Sequence, residues 1–177
     1  MNIQECISVL RQRSDCIIND PSGIPNDLQL NGFELTDELK EFYTLCGGSK
    51  ITPAEAYGTN YGIILPPDSF LQADPIVATA DAVEMWKEEG VYDTFKSRSC
   101  FTLMDIGNGN FIVVDLGDEN RGKIYLAEWE SYPIYDDVPV IANSFLEFLN
   151  FMIKDLEACN DFYWNKDDYE PLGTAFE

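Results

Sequence analysis

The chain has 177 residues, of which 45% are hydrophobic and 13% aromatic, and these values fit one folded domain rather than a disordered chain. With 32 acidic residues against 11 basic ones, the net charge is −21, which argues against binding to a phosphate backbone and is compatible with a basic protein partner. The sequence contains no histidine, which excludes histidine-based acid–base catalysis and histidine-containing metal sites but leaves carboxylate chemistry open.

Two helices are predicted near the start of the chain. Apolar residues at helical spacing indicate an amphipathic helix within residues 1–16, and a loop rich in Asn, Pro and Gly follows it. The second helix spans residues 36–46, where the hydroxyl of Thr36 caps the first turn and Gly47 is expected to supply the left-handed stop. Its apolar face is expected in the core and consists of Leu35, Leu39, Phe42, Tyr43 and Cys46.

One strand and one further helix are predicted before the middle of the chain. Residues 61–65 form an apolar run that two prolines close, which is typical of a strand. Thr79 is expected to cap a helix over residues 80–89, and Gly90 ends it. Residues 91–99 are predicted to be a linker with basic residues in and beside it, namely Lys87, Lys96 and Arg98.

The strongest local pattern is a three-stranded antiparallel meander. Residues 101–106, 111–116 and 123–129 are short apolar runs, and Asn-Gly and Gly-Asp breaks between them predict two consecutive hairpins. The run 111–116 is almost uniformly apolar, which indicates a central strand covered on both faces.

A last helix and a tail follow the meander. Ser144 and Glu147 have the spacing of a capping box before an apolar-periodic run, which predicts a helix ending near Ala158. Aromatic residues in the tail indicate that it packs on this domain or on a partner. The element order predicts an α+β single domain, a mainly antiparallel sheet with helices packed on it. We expect its core over about residues 30–158 and an acidic, aromatic extension over residues 159–177.

Cysteine usage and hydropathy predict a cytoplasmic protein without cofactors. The cysteine count is odd and no CxxC pair occurs, so that reduced thiols are expected rather than disulfides or a zinc site. No segment has the pattern of a signal peptide, and no apolar run approaches the length of a membrane span. The cysteines are Cys6, Cys16, Cys46, Cys100 and Cys159.

Three constellations contain residue types that occur in chemical sites, and none predicts an active site. The Gly107–Asn110 segment joins two strands and lacks the helix and lysine of a phosphate loop. Asp115, Asp118 and Glu119 cluster at a strand end, where a cation is conceivable, but their spacing matches no calcium loop. Glu128 and Glu130 flank Trp129, and paired carboxylates of this kind leave a carboxylate- or metal-dependent hydrolase as the least favoured alternative.

Three segments, in order, resemble the signatures of the SUKH superfamily. The first is the helix LTDELKEFY of residues 35–43 followed by Gly47-Gly48, where the family usually has Leu-Pro-x-x-Leu-x-x-Phe and Asn-Gly. The second is the meander IGNGNFIVVDL of residues 106–116 with GKIY of residues 122–125, and the third is ANSFLEFL of residues 142–149. Departures from the usual residues occur at Thr36, Gly47, Asn110 and Trp129, and each still suits its turn or strand.

The resemblance implies an α+β fold without catalysis. Many bacterial members are similar to immunity proteins that bind and neutralise a toxin, often a nuclease, and eukaryotic members resemble regulators of cell-wall synthesis. We therefore expect a non-catalytic protein that binds a basic, nuclease-type toxin domain, and neither nucleic acid nor a membrane. We expect a monomer or a weak homodimer. The alternative with the same fold is a regulatory or scaffold module without a toxin.

The partner-binding residues are predicted from exposed carboxylates and an aromatic residue around the meander and its turns. Aromatic side chains anchor protein interfaces, and carboxylates steer a basic partner. The predicted residues are Asp105, Asp118, Glu119, Glu128, Trp129, Glu130, Asp136 and Asp137. No catalytic, cofactor-binding or metal-binding residue is predicted.

Overall fold

The computed structural model describes residues 1–26, 28, 30–51, 62–107, 109–130, 132–133, 138–158, 162 and 169–175. The helices are α1 (Ile3–Gln12), α2 (Asp37–Leu45), α3 (Asp74–Val77), α4 (Ala80–Glu88) and α5 (Phe145–Glu157). The strands are β1 (Cys16–Ile18), β2 (Ser49–Ile51), β3 (Gly62–Ile64), β4 (Cys100–Asp105), β5 (Phe111–Asp115), β6 (Ile124–Ala127) and β7 (Val140–Ala142).

The strands form one antiparallel sheet whose spatial order follows the chain from β1 to β7. The predicted meander is its β4–β5–β6 portion, where Val113 pairs with Thr102 on one side and Tyr125 on the other. The predicted α+β fold is therefore confirmed, and the predicted strand at residues 61–65 is β3.

Three helices, α1, α2 and α5, cover one face of the sheet. They bury their apolar stripes against alternate residues of the central strands, such as Ile112 and Val114 of β5. At their junction the ring of Phe42 lies edge-on to that of Phe145, with 5.0 Å between the centroids. Burial of these apolar faces is the main driving force for this layer.

A smaller layer covers the opposite face of the central strands. Val113 and Tyr125 point to this side, where they pack with Val77 of α3 and with Tyr132 and Val138. Strand β5 is thus buried on both faces, as its uniformly apolar sequence predicts.

The ends of α2 confirm one predicted cap and correct the other. Thr36 Oγ1 accepts a hydrogen bond from the backbone N–H of Leu39 at 3.3 Å, as expected for an N-cap. The prediction that Gly47 takes the left-handed conformation is wrong: Gly48 does so, with a φ of 97°. Gly47 is needed for a different reason, because a Cβ atom there would lie 2.5 Å from the carbonyl oxygen of Asp20.

Helix α5 is capped from two parts of the chain. Ser144 Oγ accepts from the N–H of Glu147, while the Glu147 carboxylate accepts from the N–H of Asn143 rather than from Ser144. Glu38 of α2 adds a long-range cap, since its Oε2 accepts from the N–H of Leu146 at 2.9 Å. This bond ties the first turns of α2 and α5 together.

The short elements were missed by prediction. Strands β1, β2 and β7 have three residues each, and α3 has four.

The described part of the tail packs on the domain: the Tyr169 hydroxyl donates to the carbonyl of Val140, and Ala175 is buried. Backbone hydrogen bonds of Leu172 and Gly173 with Val140 place this segment along the outer edge of β7.

Candidate functional site

The meander separates the predicted partner-binding residues into two groups. Asp105, Glu128, Trp129 and Glu130 lie at the end of the sheet where the β4–β5 turn is located. Asp118 and Glu119 lie in the β5–β6 turn, at the opposite end of β5. A five-residue strand is about 17 Å long, so the two groups lie at separate ends of the sheet rather than side by side. Asp136 and Asp137 lie outside the described residues.

Trp129 is an exposed aromatic residue whose backbone is held in place. Its side chain is 51% exposed. Its N–H donates to Asn110 Oδ1 at 3.1 Å, and the carbonyl of the preceding Glu128 accepts from the N–H of Tyr132 at 2.8 Å. A Cβ atom at Gly109 would lie 3.9 Å from the Cγ atom of Trp129, so the β4–β5 turn passes close to the indole. An aromatic anchor held in this way loses little conformational freedom on binding.

Three carboxylates lie at the same end of the sheet as Trp129. Glu128 and Glu130, its neighbours in the chain, are both exposed. Asp105 lies two strands away and is half-buried; its Oδ1 accepts from the N–H of Gly107 at 2.8 Å, which also holds the β4–β5 turn. We call Asp105, Glu128, Trp129 and Glu130 the Trp129 surface. It offers an apolar contact within a negative field.

The opposite end of the meander has mixed charge. Asp118 and Glu119 are exposed, and Glu119 Oε2 lies 3.7 Å from the Nζ atom of Lys96. Arg121 is in the same turn and donates to the carbonyls of Leu116, Glu34 and Leu35. A cavity of about 280 Å³ opens here, and it is lined by Phe33, Phe95, Lys96, Arg98, Ser99, Asp115, Gly117, Asp118, Glu119 and Asn120.

Two buried carboxylates belong to the second layer rather than to an exposed site. Asp74 accepts from the hydroxyls of Tyr132 at 2.8 Å and Ser97 at 3.1 Å. Asp115 accepts from the N–H of Gly117 at 2.7 Å and from the hydroxyl of Tyr125 at 3.3 Å. These bonds hold the segments that cover the sheet. The role of Asp74 was not predicted, because its partners are up to 58 residues away in sequence.

Burial raises the pKa of both carboxylates above its ordinary value, although their hydrogen-bond donors oppose the shift. A raised folded-state pKa means that stability is lost as the pH rises from the ordinary value of about 3.9 through the folded-state pKa. We therefore expect the free energy of unfolding to increase when the pH is lowered from about 7 to about 4, close to the ordinary carboxylate pKa, where the net negative charge also decreases. The pKa of Asp15 is lowered, chiefly by its hydrogen bond from Arg13, so its stabilisation is lost only below this range.

Urea unfolding at the two pH values measures this effect, and the double variant Asp74→Asn/Asp115→Asn is the control. The amides keep the shape of the carboxylates but do not titrate, so that the increase should be smaller in the variant. Equal pH dependence in the two proteins would show that these groups do not titrate in the fold within this range.

No group of three Cys, Asp or Glu side chains among the described residues could hold a metal ion. In the cluster of Asp115, Asp118 and Glu119, Asp115 is only 2% exposed. Its carboxylate already accepts hydrogen bonds from Gly117 and Tyr125. The four described cysteines, Cys6, Cys16, Cys46 and Cys100, are free thiols, and Cys159 lies outside the described residues. No helix in the described ranges combines the length and apolar composition that crossing a membrane requires.

Comparison with known proteins gives two matches. The family model described as the SMI1/KNR4 family (SUKH-1) matches residues 27–150, which include all three segments that resemble the SUKH signatures. The chain is also 27% identical over 177 residues to the immunity protein YokJ of Bacillus subtilis (strain 168). That alignment covers 100% of this chain and 97% of YokJ.

Proposed function

Since the chain belongs to the SMI1/KNR4 family (SUKH-1), we propose that it is an immunity protein, which binds a cognate toxin and blocks its action without catalysis. The similarity to YokJ extends over the whole chain and is not confined to one segment, which supports a common role for the two proteins. On this proposal the protein acts by covering the surface of its partner.

The observation that carries the proposal is the Trp129 surface. An exposed aromatic residue with a fixed backbone and flanking carboxylates has the features of an interface centre: an anchor that buries apolar area and charges that orient the partner. We assign docking of the toxin to this surface. Asp118, Glu119, Asp136 and Asp137 are proposed to contribute to long-range steering.

We propose a basic toxin of the nuclease type as the partner. A net charge of −21 attracts a positive surface over a distance set by the ionic strength. A protein that holds nucleic acid carries such a surface, because it must neutralise phosphates. Covering that surface would exclude the nucleic acid by steric and electrostatic means.

Co-expression with the toxin domain encoded by the neighbouring gene tests the function. We expect restored growth, and a purified complex whose dissociation constant increases with salt concentration. The exposed Met85 of α4, far from the meander in sequence, provides a control variant, Met85→Ala, that should protect fully. Failure to restore growth together with failure to form a complex would contradict the immunity role.

Two charge-matched variants test which end of the meander docks the toxin. Glu128→Lys/Glu130→Lys and Asp118→Lys/Glu119→Lys change the net charge by the same amount but at opposite ends of β5. At low salt we expect the first to slow association about 10-fold and the second about 3-fold or less, since a charge acts most strongly where the partner approaches. Stopped-flow association rates measure this difference, and a larger effect of the second variant would assign docking to the opposite end.

A further inference from the structure

Among the residues that the structure describes, the sheet has one covered edge and one open edge. At the β7 edge, the N–H of Leu172 donates to the carbonyl of Val140, and the N–H of Val140 donates to the carbonyl of Gly173, both at 2.9 Å. At the other edge, no hydrogen bond from a described residue reaches the outer side of β1. An open edge strand is a template for pairing with another strand.

The outward-facing groups of β1 can be identified from its pairing with β2. The N–H of Asn19 donates to the carbonyl of Gly48, and Ile17 lies opposite Lys50. Because hydrogen-bonding positions alternate along an antiparallel strand, Ile17 and Asn19 face β2, while Cys16 and Ile18 direct their N–H and C=O groups outward. Two donors and two acceptors are thus placed symmetrically about Ile17.

Ile17 itself is exposed. The residue is 62% accessible, the highest value among the large hydrophobic residues that the structure describes. It lies on the face opposite α1, because its neighbours Cys16 and Ile18 pack against the helix-covered core. A β-branched residue in the centre of an open edge strand favours strand pairing.

The charge of this part of the chain differs from that of the whole protein. The first 19 residues contain two acidic and two basic residues, namely Glu5, Asp15, Arg11 and Arg13, so that the entire net charge of −21 falls on the residues after Asn19. Arg13 and Asp15 also pair with each other, at 2.7 Å. A basic partner gains little attraction from these 19 residues, and a second copy of the chain meets little repulsion from them.

We propose that two copies of the protein pair through β1 about a twofold axis at Ile17, which continues the sheet from one copy into the other. In this register Cys16 and Ile18 of one copy form four hydrogen bonds with Ile18 and Cys16 of the other, and the two Ile17 side chains are in contact. Asp15 lies opposite Asn19, and Ser14 lies opposite Asp20, so that no two like charges are directly opposed.

This dimer is weak and is strengthened by salt. A three-residue strand offers few contacts, and the two copies repel each other at long range because each carries −21. Raising the salt concentration from about 0.1 to about 1 M shortens the screening length from about 10 to about 3 Å and reduces that repulsion. The Trp129 surface stays accessible, since β6 lies five strand spacings, about 24 Å, from β1.

Disulfide trapping tests the register. In a Cys16→Ser background, Ile17→Cys places two thiols opposite each other at a non-hydrogen-bonded pair, where Cα atoms about 4.5 Å apart allow a disulfide. Leu71→Cys in the same background is the control, because Leu71 is exposed to a similar degree but is hydrogen-bonded to Thr102 of β4, three strands from β1. We expect mild oxidation to convert Ile17→Cys to covalent dimer at least about 10-fold faster than the control.

Sedimentation velocity tests the dimer without a crosslink. The wild-type protein should show a dimer fraction that grows with protein and salt concentration, and Ile17→Lys should weaken dimerisation about 10-fold or more by placing two cations at the axis. Equal crosslinking of the two cysteine variants, a wild-type protein that stays monomeric at high salt, or a dimer that Ile17→Lys leaves unchanged would each overturn the proposal. None of these outcomes bears on toxin binding.

Discussion

Replacing Phe42 by alanine is expected to lower the free energy of unfolding by about 3–5 kcal/mol, a large part of the stability of a domain of this size. Phe42 is fully buried, and its ring contacts Phe145 edge-on with 5.0 Å between the centroids. Removing the ring leaves a cavity where α2 and α5 meet the sheet. Urea unfolding followed by circular dichroism measures the loss.

Phe42→Leu is the matched control. It keeps most of the buried volume, so it should cost clearly less than Phe42→Ala, about 1–1.5 kcal/mol. If the alanine variant loses less than about 1 kcal/mol, the junction of α2 and α5 is not the tightly packed centre that the ring contacts describe.

The second large effect is expected on binding. Trp129→Ala should weaken the toxin complex by at least about 2 kcal/mol, which corresponds to about 30-fold in the dissociation constant. Its effect on folding should stay within about 0.5 kcal/mol, because half of the side chain is exposed in the free protein. Calorimetric titration of the purified toxin domain into each variant measures the difference.

A second variant distinguishes the contribution of the Trp129 indole from that of the hydrogen bond that holds its backbone. Asn110→Ala keeps the indole but removes the acceptor for the N–H of Trp129, so it should weaken binding by less than Trp129→Ala. Met85→Ala should leave the affinity unchanged, because Met85 is an exposed residue of α4 and is not part of the Trp129 surface. An equal loss for Trp129→Ala and Met85→Ala would show that Trp129 is not an anchor.

The helices with clear sequence signals were predicted because their determinants are local. The hydroxyls of Thr36, Thr79 and Ser144 cap α2, α4 and α5 as their positions indicate. The periodic spacing of Ile3, Cys6, Ile7 and Leu10 placed the buried face of α1, although the capping box between Asn2 and Glu5 was missed. The resemblance to the SUKH superfamily was confirmed by the family match over residues 27–150. It could be detected from the sequence because its three segments contain helix caps and hairpin turns, which are local.

The edges of the sheet could not be predicted in this way. Strands β1 and β7 at the two edges, and β2 beside β1, have three residues each, and each forms only because a partner strand lies beside it. Gly47 and Gly48 illustrate the same limit. Their sequence indicated a helix stop, but which of them takes a positive φ depends on the chain near Asp20 that packs against Gly47.

The sequence by itself determined the charge, the four longer helices α1, α2, α4 and α5, the meander and the family, because composition, caps and hairpin turns act over a few residues. Only the tertiary structure decided where the predicted partner residues lie. The turn of Asp118 and Glu119 and the turn beside Trp129 are at opposite ends of β5, a separation that follows from strand direction and register. Likewise, only long-range pairing decided that the tail covers β7 while the edge at Ile17 stays open in the described part of the chain.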